Sequence, residues 1–370
     1  MDRRAETLSR ARSGVIEGLA VLRRWPYTFV VMLSLFVGGL ALGVSAYLGI
    51  PVRDPEGFLG PSYVRLPALG ILFVAGGILI QSIARARSLR VWAEAKRIVR
   101  EEWTWARFAH VGLGLITFYV CYVSYRNLKG FLPIVLDGVQ YDAALTKFDQ
   151  WLFFGNYPAL VLHDLLGTEI TAQVLSTFYI SYLVLVPISL AALLVWNRDI
   201  SLGAWYATAL SLNWVLGVAS YYVLPTVGPA FENNALILGL PDDTGVATLQ
   251  QSLAQTRFRF LSNPFDGGIN GIAGFASLHV SVVVTACVFL RRTNAHRAIR
   301  TVAWVFLVLT ITATLYFGWH YVLDDVAGAV IGWAAVVIGA WATGNTKRQK
   351  SRSLTDPEDT GPVVGSSSRD

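Results

Sequence analysis

Eight apolar runs, each about long enough to cross a bilayer, divide this chain and constrain its fold more than any other feature. A transmembrane helix needs about 20 consecutive, mainly apolar residues. The runs cover residues 27–49, 66–84, 108–124, 171–195, 203–224, 276–290, 301–318 and 322–343. Because every backbone polar group in lipid must be bonded within its own segment, we expect an all-α polytopic membrane protein with about eight transmembrane helices.

The amino-acid composition agrees with a membrane protein. Hydrophobic residues make up 54% of the 370 residues and charged residues only 15%, which leaves too little polar surface to cover a soluble globule. The net charge of +6 could suggest nucleic acid, but the arginines cluster at the ends of apolar runs, where they set membrane topology. We therefore expect the lipid bilayer, and no nucleic acid, as a partner. Cys121 and Cys287 lie inside apolar runs, so neither a disulfide nor a cysteine metal site is expected.

Basic residues mark one side of the eight-span arrangement. They are Arg3, Arg4, Arg10, Arg12, Arg23 and Arg24; Arg85, Arg87, Arg90, Lys96, Arg97, Arg100 and Arg107; Arg291, Arg292, Arg297 and Arg300; and Lys347, Arg348, Lys350 and Arg352. By the positive-inside rule this side is cytoplasmic, which predicts a multi-pass plasma-membrane protein with both termini inside the cell. The connections 125–170 and 225–275 and the turn 319–321 would then face outward.

Two histidine motifs open apolar runs at this outer face. His320 and Asp324 stand four residues apart, so on a helix they share a face and can share a hydrogen bond. His279, with Ser277 two residues before it, opens the sixth run. Ionisable groups in membrane segments are costly and mark functional sites. We expect these side chains to meet in one outward-facing pocket.

The residue types in this pocket are suited to phosphoryl transfer. A histidine held by a carboxylate through one ring nitrogen can attack phosphorus with the other. A second histidine can protonate the leaving oxygen and later deprotonate an alcohol or water. This predicts a two-step transfer through a phosphohistidine, with His320 as nucleophile, Asp324 as its orienting group and His279 as acid and base. Ser277 and the backbone N–H groups that start the sixth run would bind phosphate oxygens.

The sequence Ala-Ser-Leu-His at 276–279, followed by His-Tyr-Val-Leu-Asp-Asp-Val-Ala-Gly at 320–328, resembles the second and third signature motifs of the phosphatidic acid phosphatase type 2 superfamily. These are membrane lipid phosphatases and phosphotransferases. The resemblance implies a six-helix catalytic core at 108–343. Residues 1–107 would add a basic segment, two spans and a basic connection, and residues 344–370 a disordered cytoplasmic tail. It also implies the same three roles for His320, Asp324 and His279.

The chain departs from the phosphatase branch of that family at its cationic residues. The stretch 221–229 lacks the lysine and the Arg-Pro pair of the first motif, and Thr314 replaces the arginine of the third. Through 222–229, 277–279 and 149–155 the chain is more similar to the inositolphosphotransferase or inositol phosphorylceramide synthase branch. This implies transfer of a phospho-head-group, inositol phosphate being one candidate, from a phospholipid or lipid-phosphate donor to an alcohol acceptor. With water as acceptor the site would instead be a phosphatase of phosphatidic acid or an isoprenoid phosphate.

Other cations must then bind the phosphate, because a buried anion needs positive partners. The expected outer loops offer Arg126, Lys129, Arg257 and Arg259, and Tyr222 is a further candidate substrate contact. Contacts with lipid headgroups would explain the same cations equally well.

A zinc enzyme and a transporter are two alternative classes for these residues. His279, His320 and Asp324 could form a three-ligand zinc set, but the chain has no His-Glu-x-x-His pattern and phosphohistidine chemistry needs no metal, so neither metal nor cofactor is expected. A transporter with a proton relay would show inverted repeats and polar residues in mid-bilayer. No clear repeat is visible and the polar motifs lie at the ends of spans, which favours an enzyme.

Overall fold

A computed structural model of the chain describes residues 25–346 apart from 55, 58–59, 86–90, 266–267 and 270. The described residues form thirteen α-helices, a 3₁₀ helix at Asn234–Ile237 and a two-residue antiparallel ladder of β1 (Glu56–Gly57) with β2 (Gly60–Pro61). The expected fold class, an all-α polytopic membrane protein, is confirmed. The predicted basic residues 3–24, Arg87, Arg90 and the predicted disordered tail from 347 onward lie outside the described residues.

Helices lie at all eight predicted spans. In chain order the helices are α1 (Thr28–Leu48), α2 (Ser62–Arg85), α3 (Val91–Glu102), α4 (Trp105–Val135), α5 (Asp142–Leu152), α6 (Pro158–Leu166), α7 (Ile170–Trp196), α8 (Ile200–Val223), α9 (Pro229–Glu232), α10 (Gly245–Ser262), α11 (Leu278–Arg292), α12 (Arg297–Tyr316) and α13 (Val322–Ala342). Seven of these helices, α1, α2, α4, α7, α8, α12 and α13, are long and apolar enough to cross a membrane.

The helix at the sixth predicted span, α11, has only 15 residues. It starts at Leu278 because the Ser277 side chain caps it by accepting a hydrogen bond from the Val280 N–H. The helix packs against α8, α12 and α13, and Val280 and Cys287 are fully buried. A helix enclosed by neighbours in this way does not need to match the bilayer thickness by itself.

The third span is longer than the sequence predicted. Its predicted end, residue 124, precedes the first cation, whereas α4 continues to Val135. Arg126 and Lys129 were expected in a loop beyond this span, and that placement was wrong. A polar residue can remain in a membrane helix when it faces the interior of the bundle. Lys129 does so, since it is only 7% exposed.

Glycines bring the backbones of α11 and α13 into contact. A methyl group at Gly328 would overlap the Ser277 carbonyl oxygen, and one at Gly332 would overlap that of Ser281. Such close approach through small residues is typical of packed membrane helices. At the same level the Asn213 amide of α8 donates to the Thr285 hydroxyl at 2.9 Å. The two histidine motifs therefore start side by side at one end of the bundle.

Replacing Gly332 with alanine is expected to destabilise the fold by about 1–3 kcal/mol, because the extra methyl group overpacks a backbone contact. The midpoint of thermal unfolding in detergent measures this loss. Gly39 in α1 is the matched control, since a methyl group there would meet nothing within 4 Å. Equal unfolding midpoints for Gly332→Ala and Gly39→Ala would contradict the packing account.

The end of the bundle opposite the histidine motifs carries described basic residues. Glu102 pairs with Arg85 at 2.6 Å and with Arg198 at 2.5 Å, which ties α3 to the end of α2 and to the connection between α7 and α8. Near this connection the Ser201 hydroxyl donates to the Thr343 carbonyl oxygen, just beyond the end of α13. His320 and Arg198 thus lie at opposite ends of α13.

Candidate active site

His320 and Asp324 form the centre of the site. His320 Nδ1 lies 3.2 Å from Asp324 Oδ2, and the same carboxylate oxygen accepts the Tyr321 N–H at 3.1 Å. His320 is 7% exposed and Asp324 is fully buried. The second ring nitrogen of His320, Nε2, has no hydrogen-bond partner among the described residues. The imidazole is therefore oriented through one nitrogen while the other stays available.

His279, in the first turn of α11, faces His320. The centroids of the two imidazole rings are 6.2 Å apart. Tyr179 stacks on the His279 ring at 4.3 Å, and Tyr182 lies at 4.4 Å on a tilted plane. The Nε2 atom of His279 is buried and has no hydrogen-bond partner in the described part of the chain. Both tyrosines come from α7, and the Tyr179 hydroxyl also lies within hydrogen-bond distance of His279 Nδ1, at 3.5 Å.

Ser277 links the two motif helices. Its hydroxyl caps α11, and its backbone N–H donates to the Asp324 carbonyl oxygen at 2.9 Å. The side chain is fully buried. This bond sets the start of α11 against the first turn of α13 and so determines the spacing between the two histidines.

Lys129 reaches the interior of the site from α4. Its Nζ atom lies 3.4 Å from the Tyr125 hydroxyl and 5.3 Å from the centre of the Tyr221 ring. Lys129 is also close enough for its charge to act on His279. Tyr221 belongs to the stretch 221–229, which lacks the cations of the family's first motif. A lysine from another helix therefore stands beside the place where those cations are missing.

The other predicted phosphate-binding residues differ in position. Arg126 is half-buried and lies near Gly271. Arg257, on α10, is also half-buried, and it is close enough to Asp142 to interact with the charge of that carboxylate. Burial lowers the pKa of Arg257. Arg259 is exposed, because a residue two positions along a helix points to the other side. The Tyr222 hydroxyl donates to the Leu128 carbonyl oxygen at 2.7 Å. The structure therefore does not bring Arg259 or the Tyr222 hydroxyl into the site.

Two buried aspartates of α5 border the site and were not predicted as site residues. Asp142 accepts the N–H groups of Val227 and Gly228 at 3.0 and 2.9 Å and the Tyr321 hydroxyl at 3.1 Å. Asp149 accepts the Val322 N–H at 3.3 Å. Burial raises the pKa of both carboxyls, that of Asp149 to about 7. Their spacing of seven residues on one face of an amphipathic helix was the available sequence signal.

Asp325, whose role the sequence left open, is buried, and the Ser277 side chain forms a hydrogen bond with it. Thr314 donates to its Oδ2 atom at 2.8 Å. Thr314, which replaces the arginine of the third motif, is thus hydrogen-bonded to a carboxylate side chain. Within the described residues no group of three or more His, Cys, Asp or Glu side chains is placed to hold a metal ion.

Fold and site together define a helical membrane protein with a pair of neighbouring histidines and a buried aspartate at one end of the bundle. A family model described as the PAP2 superfamily matches residues 143–338, which is more than half of the chain. The chain belongs to the PAP2 superfamily, whose activities are those of phosphatases and phosphotransferases. The match begins within α5 and ends within α13, so Lys129 on α4 precedes it. No curated protein and no solved structure matches the chain.

Proposed function

We propose that this protein is a membrane lipid phosphotransferase that moves a phospho-head-group from a lipid donor to an alcohol through a phosphohistidine at His320. The observation that carries the proposal is the geometry of His320: Nδ1 is bonded to Asp324, Nε2 has no partner among the described residues, and the ring centroid lies 6.2 Å from that of His279. A nucleophilic histidine needs this combination of a fixed tautomer and a free lone pair.

In the first step the His320 Nε2 lone pair forms a bond to phosphorus while the bond from phosphorus to the lipid alcohol oxygen breaks. His279 donates its proton to that leaving oxygen. Asp324 stabilises the positive charge that develops on the His320 ring, as a carboxylate does in other histidine-based sites. The products of this step are the free lipid alcohol and a His320 whose Nε2 carries the phospho-head-group through phosphorus.

In the second step the acceptor alcohol attacks phosphorus. The now neutral His279 takes the proton of the incoming hydroxyl, and the bond from His320 to phosphorus breaks, which restores both imidazoles. The aromatic rings of Tyr179 and Tyr182 pack against His279 and hold its ring in place. The similarity of the stretches 222–229 and 149–155 to the inositolphosphotransferase branch is what favours transfer to an alcohol over hydrolysis.

Phosphate binding is assigned to Lys129 and to the start of α11. Lys129 is the most buried of the predicted cations, and its charge is the one among them that acts on His279. The first N–H groups of α11 carry the positive end of the helix dipole, and Ser277 lies among them. Arg126 and Arg257 are assigned to the entrance, where they would attract the anionic headgroup of the donor.

In this proposal the site faces the outside of the plasma membrane. Arg85, Arg198 and other described basic residues lie at the end of the bundle opposite His320. The positive-inside rule would put that end in the cytoplasm. The donor would then be drawn from the outer leaflet.

Purified protein in vesicles that contain candidate phospholipid or lipid-phosphate donors, with and without added alcohols, tests the proposal. Transfer predicts a phosphorylated alcohol and a rate of donor loss that rises with alcohol concentration. Release of inorganic phosphate or of a free phospho-head-group at a rate that no alcohol changes would assign the protein to hydrolysis instead. If the donor is consumed neither with nor without an added alcohol, both transfer and hydrolysis are rejected for these donors.

Replacing Lys129 with methionine is expected to lower kcat/KM by roughly 100-fold, because a buried charged partner of the phosphate is lost while the shape is kept. Arg259→Ala removes an exposed cation and should leave kcat/KM within about twofold of the native value. Steady-state kinetics on vesicles measures both. Unchanged kinetics for Lys129→Met would assign the lysine to packing against Tyr125 and Tyr221.

A further inference from the structure

Asp149 is buried on the face of α5 that packs against the site, yet the mechanism above gives it no role. It is 2% exposed and lines the same narrow cavity as His320, Tyr321 and Thr146. Both of its carboxylate oxygens lie 3.3 Å from the backbone nitrogen of Val322, the first residue of α13. A buried carboxylate of this kind is costly unless the contact it makes is useful.

The turn that carries His320 is held by two carboxylates. Asp324 Oδ2 accepts the Tyr321 N–H from within α13, and Asp149 accepts the Val322 N–H from α5. These N–H groups belong to the end of the helix where backbone donors lack partners inside the helix. Because His320 directly precedes them, a shift of this turn would move the imidazole and change its distance to Asp324 and His279.

We propose that Asp149 is a positioning residue for His320. It acts through the backbone of the turn into α13 and does not touch the phosphorus. The role rests on the proposed function of His320 as nucleophile. Asp142, seven residues earlier on the same face of α5, binds the Val227 and Gly228 N–H groups and the Tyr321 hydroxyl, so the whole helix is fixed against the site.

If Asp149 positions His320, the protonation of Asp149 should appear in the pH dependence of kcat. The groups that face it are Asp324 and His320 across the turn, Tyr321 beside them and Tyr157 at the start of α6. Burial raises the pKa of Asp149 to about 7, and the negative charge of Asp324 acts in the same direction. The carboxyl therefore ionises as the pH rises through about 7, and the ionised form binds the Val322 N–H more strongly. This predicts that kcat rises over the same range.

The test compares Asp149→Ala and Asp149→Asn in full-length protein reconstituted in vesicles. The alanine variant loses the acceptor, so kcat should fall roughly 10- to 100-fold while KM changes less than about twofold. The asparagine variant keeps an acceptor oxygen and should recover most of kcat, but without the rise near pH 7. Asp164→Asn, at an exposed aspartate of α6, is the matched control and should behave as native protein.

A second readout does not depend on turnover. The imidazole ¹⁵N signals of the five histidines can be recorded in detergent, with His320 assigned through His320→Gln. The proposal predicts that Asp149→Ala shifts the His320 signals and that Asp149→Asn largely restores them. Unchanged His320 signals in Asp149→Ala, or a KM effect without a kcat effect, would overturn the positioning role. Asp149→Ala could shift the His320 signals even if the native protein turned over no lipid phosphate. In that case the proposed function would be wrong, but Asp149 would still position His320 through the Val322 N–H.

Discussion

Replacing His320 with alanine is expected to lower turnover at least about 1,000-fold, because the variant has no group that can form the covalent intermediate. The native imidazole is oriented by Asp324 at 3.2 Å, and no other described side chain combines a free ring nitrogen with such a partner. Single-turnover and steady-state assays on donor vesicles measure the loss. His320→Gln, which fills more of the same space, should be equally inactive.

The controls separate chemistry from folding. Asp324 keeps the Tyr321 N–H as a partner when His320 is removed, so the first turn of α13 should stay formed. Thermal unfolding midpoints of the two variants are therefore expected to lie close to the native value. His296→Ala, at the exposed start of α12, should keep full activity. Native rates in folded His320→Ala would remove His320 from the chemistry.

Asp324→Asn is expected to lower kcat about 100-fold and to leave more residual activity than His320→Ala. The amide oxygen can still accept the Tyr321 N–H, but it cannot stabilise the positive charge that develops on His320. The fully buried position of Asp324 makes this electrostatic effect large, because water does not screen it. The loss should appear in kcat, measured at saturating donor, and not in KM.

Asp325→Asn is the matched comparison for Asp324→Asn. The two acids are adjacent in sequence and both buried, but Asp325 bonds to Thr314 rather than to His320 Nδ1. Its replacement is expected to cost no more than about tenfold in kcat. If Asp325→Asn lowered kcat more than Asp324→Asn does, Asp325 and not Asp324 would be the carboxylate on which His320 depends.

The sequence predicted those features that depend on local spacing. His320 and Asp324 are four residues apart, and the helical repeat alone brings their side chains into contact. The meeting of His279 with His320 needed only the further assumption that successive spans alternate in direction. Hydropathy located all eight helices, although α11 proved too short to meet the usual length of a span.

Features that depend on tertiary packing could not be predicted in this way. The hydropathy rule ended the third span before its cations, so it could not show that Lys129 lies inside α4 beside Tyr221. The stacking of Tyr179 on His279 joins residues 100 positions apart. The sequence shows Asp149 only as part of the stretch 149–155, because its bond to the Val322 N–H forms once α5 folds against α13.

The most direct test of the account is to look for the covalent intermediate itself. Purified protein is mixed with donor vesicles without an alcohol acceptor, quenched in alkali within the first turnover, digested and analysed by mass spectrometry. The account predicts an acid-labile adduct on His320, with the mass of the transferred phospho group, that disappears when alcohol is added and is absent from His320→Ala. Product formation without any adduct on His320, or an adduct on a different residue, would contradict it.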